Sequence, residues 1–246
     1  MPDLLLLLLC VPIFLLSGLV KGTVGMGQPA TAIGLLTFFV PLDEAVVIVL
    51  VPGLITNAIQ TFKGPPVWGM LRRLRIFFVM NVVFAWIGVK ILATGEIMAL
   101  TAVLGVLLIL HAGGMWVTNW RVISRRAERI LQVPVGSLNG LFVGMTGATP
   151  FPGVPYLQSL GMEREELIQA MGAMFLIAAI TLAFGYVSEG LLTREGVTAS
   201  VFAVVPSTIG LYLGQRIRHR LSQEAFRKTF LVVLFALGVY ITATNI

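Results

Sequence analysis

Two short stretches hold most of the chemistry this sequence can offer: GTVGMGQP at 22–29 and GMTGATPFPG at 144–153. Each interrupts an apolar run with glycines and then proline. Proline suits the first turn of a helix, where its missing N–H would have been unpaired anyway. A short helix following each break would start with N–H groups that lack intrahelical partners, at the positive end of its dipole. Glycine at the break lets a ligand come close to the backbone. The chemistry implied is noncovalent binding of a small anion.

The candidate ligand contacts are Gly25, Gly27 and Gln28 in the first break and Gly147 and Thr149 in the second. Gln28 and Thr149 occupy nearly equivalent places and can donate to an oxyanion, or can simply cap the short helices. Thr23 and Thr146 are weaker candidates, because threonine in a membrane helix often bonds its own backbone. Lys21 adjoins the first break. A lysine in hydrocarbon is costly, so it either places a positive charge near the anion or snorkels to the surface. Asn57 and Gln60 project from nearly the same side of one segment, where they could line a cavity. His111, in another apolar run, reads either as a proton relay or as half of an interhelical hydrogen bond.

The elements that must position these residues are membrane spans. The chain has 246 residues, 57% of them hydrophobic and only 11% charged, too little charge to cover a soluble domain of this size. Apolar segments lie at about 4–21, 29–42, 45–62, 76–94 and 97–118, then at about 135–148, 151–162, 167–187, 197–215 and 228–244. A full crossing takes roughly 20 helical residues, so 29–42 and 151–162 read as half-helices or re-entrant limbs. The N-terminal run carries Asp3 and no basic residue before it, and reads as a retained first span rather than a signal peptide.

Three loops, at 63–75, 121–129 and 216–228, hold 13 of the 17 lysines and arginines. The positive-inside rule makes them cytoplasmic and puts both termini outside, periplasmic if the membrane is a bacterial inner membrane. The net charge of +6 is explained by these loops, so nucleic acid is not an expected partner. The basic stretch RVISRRAERI fits an interfacial linker drawn to anionic lipid. The domains expected are a first transmembrane repeat at 1–120, a cytoplasmic linker at 121–134 and a second repeat at 135–246. A homo-oligomer is left open.

Shifting the sequence by 122 residues lays Gly18, Gly22 and Gly25 on Gly140, Gly144 and Gly147. Asp43-Glu44 falls on Glu165-Glu166, and Gly88 on Gly210. Each half has an odd number of segments, so the halves enter the membrane from opposite sides. The expected fold is therefore an all-α polytopic membrane protein. It has two inverted-topology repeats of about five segments each, with the broken helices meeting near the midplane.

These residues resemble the TauE/SafE sulfite exporter family of membrane transporters, also called TSUP. The resemblance rests on two halves that each open with a Gly-rich break and a short helix: Gly25-Met26-Gly27-Gln28-Pro29, and Gly147-Ala148-Thr149-Pro150-Phe151-Pro152. It implies export of sulfite or a related sulfur-containing or organic anion, without catalysis. The residues alone leave open an uptake carrier for an organic acid or sulfonate. A membrane-embedded enzyme or assembly factor would need ionisable clusters that the apolar runs lack. With no P-loop, HExxH or Cys/His metal cluster in the sequence, no cofactor is expected.

Overall fold

A computed structural model describes residues 4–63, 66–116, 122–148, 151–217 and 223–245. All regular structure among them is helical. The order is α1 (Leu4–Val24), α2 (Gln28–Leu36), α3 (Leu42–Phe62), α4 (Trp68–Arg73), α5 (Arg75–Thr94), α6 (Ile97–Trp116), α7 (Arg125–Thr146), α8 (Gly153–Gln158), α9 (Arg164–Ser188), α10 (Arg194–Ile217) and α11 (Gln223–Thr244). Among the described residues, seven helices are long and apolar enough to cross a bilayer: α1, α3, α5, α6, α9, α10 and α11. The short helices α2 and α8 are the limbs that follow the two Gly-rich breaks.

Two departures from the sequence reading stand out. The basic stretch is helical from Arg125 and continuous with the apolar segment after it, α7 running unbroken through Pro134 to Thr146. Ser124 starts it early, its Oγ accepting the Ala127 N–H at 3.3 Å, and Glu128 follows in the first turn, where an acid complements the dipole. The six-residue α4 sits in the basic 63–75 loop, where a sequence this short has no readable periodicity.

Glycines fix the main packing. α1 lies parallel to α10, and α7 parallel to α5. A β-carbon on Gly22 would stand 2.9 Å from the Cα of Gly214, and one on Gly144 would stand 2.7 Å from the Cα of Gly88. These backbones touch, which only small residues permit, and close van der Waals contact is the main force between helices in lipid. Each pair joins a helix of one half to a helix of the other, so the halves interlock.

Two of the packing contacts are related by one sequence spacing. Gly25 stands against Ile168 and Gly147 against Val46, and both members of this pair are 122 positions apart. Gly88, however, opposes Gly144 as Gly214 opposes Gly22. These two contacts are related by a spacing four residues longer for Gly88 and Gly214 than for Gly22 and Gly144.

One polar junction holds the basic end together. The Arg73 guanidinium donates from Nε to Glu128 Oε1 at 2.7 Å and from Nη2 to Oε2 at 3.0 Å. Nη2 also reaches the Leu160 carbonyl at 3.1 Å. Arg125 Nη1 donates to Glu128 Oε2 at 3.1 Å, and Tyr156 donates its hydroxyl to the Glu128 carbonyl at 3.0 Å. The fork from Arg73 holds the Glu128 carboxyl below its ordinary value of 4.5, against the opposing effect of burial. A depressed carboxyl stabilises the fold fully above its unfolded value and loses that contribution as pH falls through the folded one. Glu128→Gln is therefore expected to cost about 2 kcal/mol at neutral pH. Its melting temperature should also fall less steeply than the parent's below about pH 4.5. Parallel melting curves for the two proteins from pH 7 to pH 3 would refute the role given to this pair.

Candidate functional site

The two breaks share a cavity. It is lined by Gly27, Pro29 and Ala30 at the start of α2, by Val143, Gly147 and Ala148 at the end of α7, and between them by α3 and α9. Gly25, Gly27 and Gly147 adopt φ of 89°, 93° and 71°, left-handed conformations that glycine takes without strain. Most of the wall is apolar. Asn57, on α3, is its principal polar group.

Lys21 lies behind Asn57. It is 2% exposed, so it does not snorkel. Its Nζ donates to Asn57 Oδ1 and, at 3.1 Å, to Thr56 Oγ1. Among the described residues no carboxylate pairs with it. Enclosing an unpaired ammonium costs several kcal/mol, a cost that a bound anion would relieve. Because Lys21 needs an acceptor, it fixes the Asn57 amide with Oδ1 towards the lysine. The amide N–H groups are then what Asn57 turns towards the cavity side, and a β-carbon on the lining residue Gly53 would stand 4.0 Å from Asn57 Nδ2.

The donors run outward from Lys21 in one chain. Thr56 Oγ1 donates to Gln28 Oε1 at 2.6 Å, and Gln28 Nε2 donates to Ser207 Oγ at 2.6 Å. The chain joins α1, α3, α2 and α10, and a buried network satisfied in this way is rigid. Gln28 therefore holds α2 in place with its amide instead of turning it into the cavity. Thr56 and Ser207 were not foreseen as members, since isolated hydroxyls in apolar helices carry little signal.

The other sequence candidates divide. Thr23 Oγ1 donates to the Leu19 carbonyl and Thr146 Oγ1 to the Phe142 carbonyl, both at 2.8 Å. Both bond their own helix, and neither lines the shared cavity. Thr149 lies outside the described residues. Gln60 does not line the cavity either; its Nε2 donates to the Gly25 carbonyl at 2.9 Å and to the Ile168 carbonyl at 2.8 Å, tying the first break to α9. Neither ring nitrogen of the buried His111 has a hydrogen-bond partner among the described residues. α2 brings its start to the cavity, whereas no described residue of α8 lines it, and the Gly153 N–H donates to Asn139 Oδ1 at 3.0 Å.

The cavity volume is about 30 Å³, one water's share of the liquid. An oxyanion fits only if the surrounding helices part. The breaks and the small residues lining the cavity are where such parting is easiest.

Neither the curated proteins nor the solved structures compared with the chain include a match. A model of the family described as Sulfite exporter TauE/SafE matches residues 10–241. With that match over nearly its whole length and seven helices able to cross a bilayer, the chain belongs to the sulfite exporter TauE/SafE family: multi-pass membrane transporters of anions, not enzymes.

Proposed function

We propose that the protein is a secondary transporter that exports sulfite or a related sulfur-containing anion, such as an organosulfonate, by alternating access around the shared cavity. The observation that carries this reading is the buried Lys21 ammonium, without a carboxylate and bonded to the Asn57 amide that lines the cavity. A site whose one enclosed basic group has no counter-ion among the described residues suits a ligand that supplies a negative charge and so favours the ammonium form. The start of α2, with Gly27 at its N-cap, adds N–H donors and a positive dipole end.

The two halves act as inverted repeats that rock about the cavity. The matched contacts of Gly25 with Ile168 and Gly147 with Val46 support that relation. The basic loops face the cytoplasm of the cell membrane, and both termini face the outside. An anion leaving a cell with a negative interior gains roughly 2.3 kcal/mol per charge per 100 mV. Export thus needs no coupling ion, and His111 is the residue to examine if a proton proves to be coupled.

The test is thermal shift of the detergent-solubilised protein against sulfite, sulfate, thiosulfate, taurine, sulfoacetate and short carboxylates, followed by flux of the best binder in proteoliposomes. A ligand at a hundred times its Kd should stabilise by about 2.7 kcal/mol. A response confined to cations or neutral solutes would overturn the reading. Flux that proceeds only inward under a negative interior would convert it to uptake.

A further inference from the structure

A second cavity, of about 190 Å³, opens at the end of the bundle where α1 and α6 finish and α9 and α11 begin. Its wall carries two arginines from different helices, Arg164 on α9 and Arg227 on α11, together with Gln158. No carboxylate is among its described lining residues. Arg227 is set in position across helices: its Nη1 donates to the Met115 carbonyl, at the end of α6, at 3.1 Å. A guanidinium has five N–H donors, so this single bond orients the fork without using it up.

The two cavities are separated by one residue step. Met26 lines this outer chamber, and Gly27 lines the central one. The first break is the partition between them. Gln60 fastens it, bonding Gly25 of the break to Ile168, which also lines the arginine-bearing chamber. At the opposite end of α6 a cavity of about 470 Å³ is lined by Thr37, Thr101 and Asn245 among apolar residues, with no charge in its described wall. The ends of the molecule thus differ. One presents paired guanidinium groups directly before the partition, and the other presents neutral polar groups.

We infer that the arginine-bearing chamber is a loading site, where Arg227 and Arg164 collect a small sulfur oxyanion or sulfonate before it passes the Gly25–Gln28 partition. A guanidinium fork matches two oxygens of one such group, which a point charge does not. Charges of one sign among the described lining residues, walled by low-dielectric side chains, favour accumulation of an anion. The volume accepts the anion with part of its hydration, each water taking about 30 Å³. Desolvation is then completed beyond the partition, next to Lys21. The neutral far cavity offers no comparable hold, which favours release there. This inference rests on the transport reading above and adds a place and a side for capture.

The test measures flux in oriented proteoliposomes, with sulfite and then sulfoacetate presented separately at each face. Arg227→Gln and Arg164→Gln should each raise KM about tenfold for anion presented at the face bearing these arginines. Maximal rate should be little changed, as should KM from the opposite face. Arg227→Lys keeps the charge but not the fork, and should recover only part of the loss. If Arg227→Gln does not fold, Arg164→Gln, on a separate and exposed position, carries the same expectation. Unchanged KM in both variants and in their double, or an equal rise from both faces, would overturn the loading site. If the parent protein moves none of these anions, the transport reading itself fails, and that outcome is distinct from normal transport with indifferent arginines.

Discussion

Lys21→Met should lower anion flux by about two orders of magnitude while leaving the melting temperature unchanged or raised. The two halves of this expectation come from the same charge. An ammonium ~5 Å from a bound anion, at an effective dielectric of ~20, contributes about 3 kcal/mol, or roughly 150-fold in affinity. In the empty protein that charge has neutral partners only, Thr56 and Asn57, and its desolvation works against the fold. Replacing an enclosed charge with an apolar chain of similar length is often neutral or stabilising by about 1–4 kcal/mol. Thr56 keeps its bond to Gln28, and the Asn57 amide, released from the lysine, can turn over, so the loss of two acceptor contacts does not reverse the sign.

The measurement pairs a melting curve with proteoliposome efflux of sulfite. Loss of flux with a large fall in melting temperature would make Lys21 a structural residue and remove the main support for an anion at this cavity. A folded variant with undiminished flux would do the same more directly. The double variant with Asn57→Ala sharpens the result. If both residues act on one anion, removing the second after the first should cost much less than removing it alone.

The residues that were legible in the sequence are those whose presence in an apolar run is expensive. Gly25, Gly27 and Gly147 were readable because three glycines at left-handed φ are also glycines a helix would not choose. Lys21 and Asn57 were readable because a charge or amide in hydrocarbon demands a partner. What the sequence conveyed was depth along each helix, not the direction a side chain takes around it. Gln28 therefore looked like a ligand contact but closes a bridge between Thr56 and Ser207. Thr146 has the same residue type and depth as Thr56, and only three-dimensional neighbours separate a threonine bonded to its own turn from one that, like Thr56 or more weakly Thr23, also bonds across helices. The helical segments were found within a few residues because their periodicity is masked by uniform apolarity only in azimuth, not in extent. That α7 begins as early as Arg125 was masked by the charge of its first turns, although Ser124 and Glu128 in a cap pattern mark a helix start. Arg227 was counted only as a topogenic charge, and its reach to the Met115 carbonyl across helices has no sequence signature.

Gly27→Ala should reduce flux by at least about tenfold and cost more stability than Gly25→Ala, although the two glycines are near neighbours with nearly equal φ, 93° and 89°. Either alanine must hold a left-handed backbone, at about 1–2 kcal/mol. The difference lies in what the new methyl meets. At Gly25 the nearest atom would be Ile168 Cγ1 at 3.7 Å, an ordinary contact. At Gly27 it would stand 2.7 Å from Phe230 Cζ and 3.3 Å from Val20 Cγ1, so either the Phe230 ring or the start of α2 must give way, and to the extent that α2 moves the cavity changes. That start lines the cavity through Gly27, Pro29 and Ala30, and its N–H groups are the donors offered to the anion, so a shift there reaches flux as well as stability. Phe230→Leu, which removes the far end of the ring, should recover part of the Gly27→Ala loss and none of the Gly25→Ala loss, because it relieves the collision and leaves the strain. Melting temperatures and sulfite efflux for the four variants decide the matter. Equal losses at both glycines would mean that backbone strain alone sets the effect. Full transport in a folded Gly27→Ala would mean that the placement of α2 at the cavity is not what the anion uses.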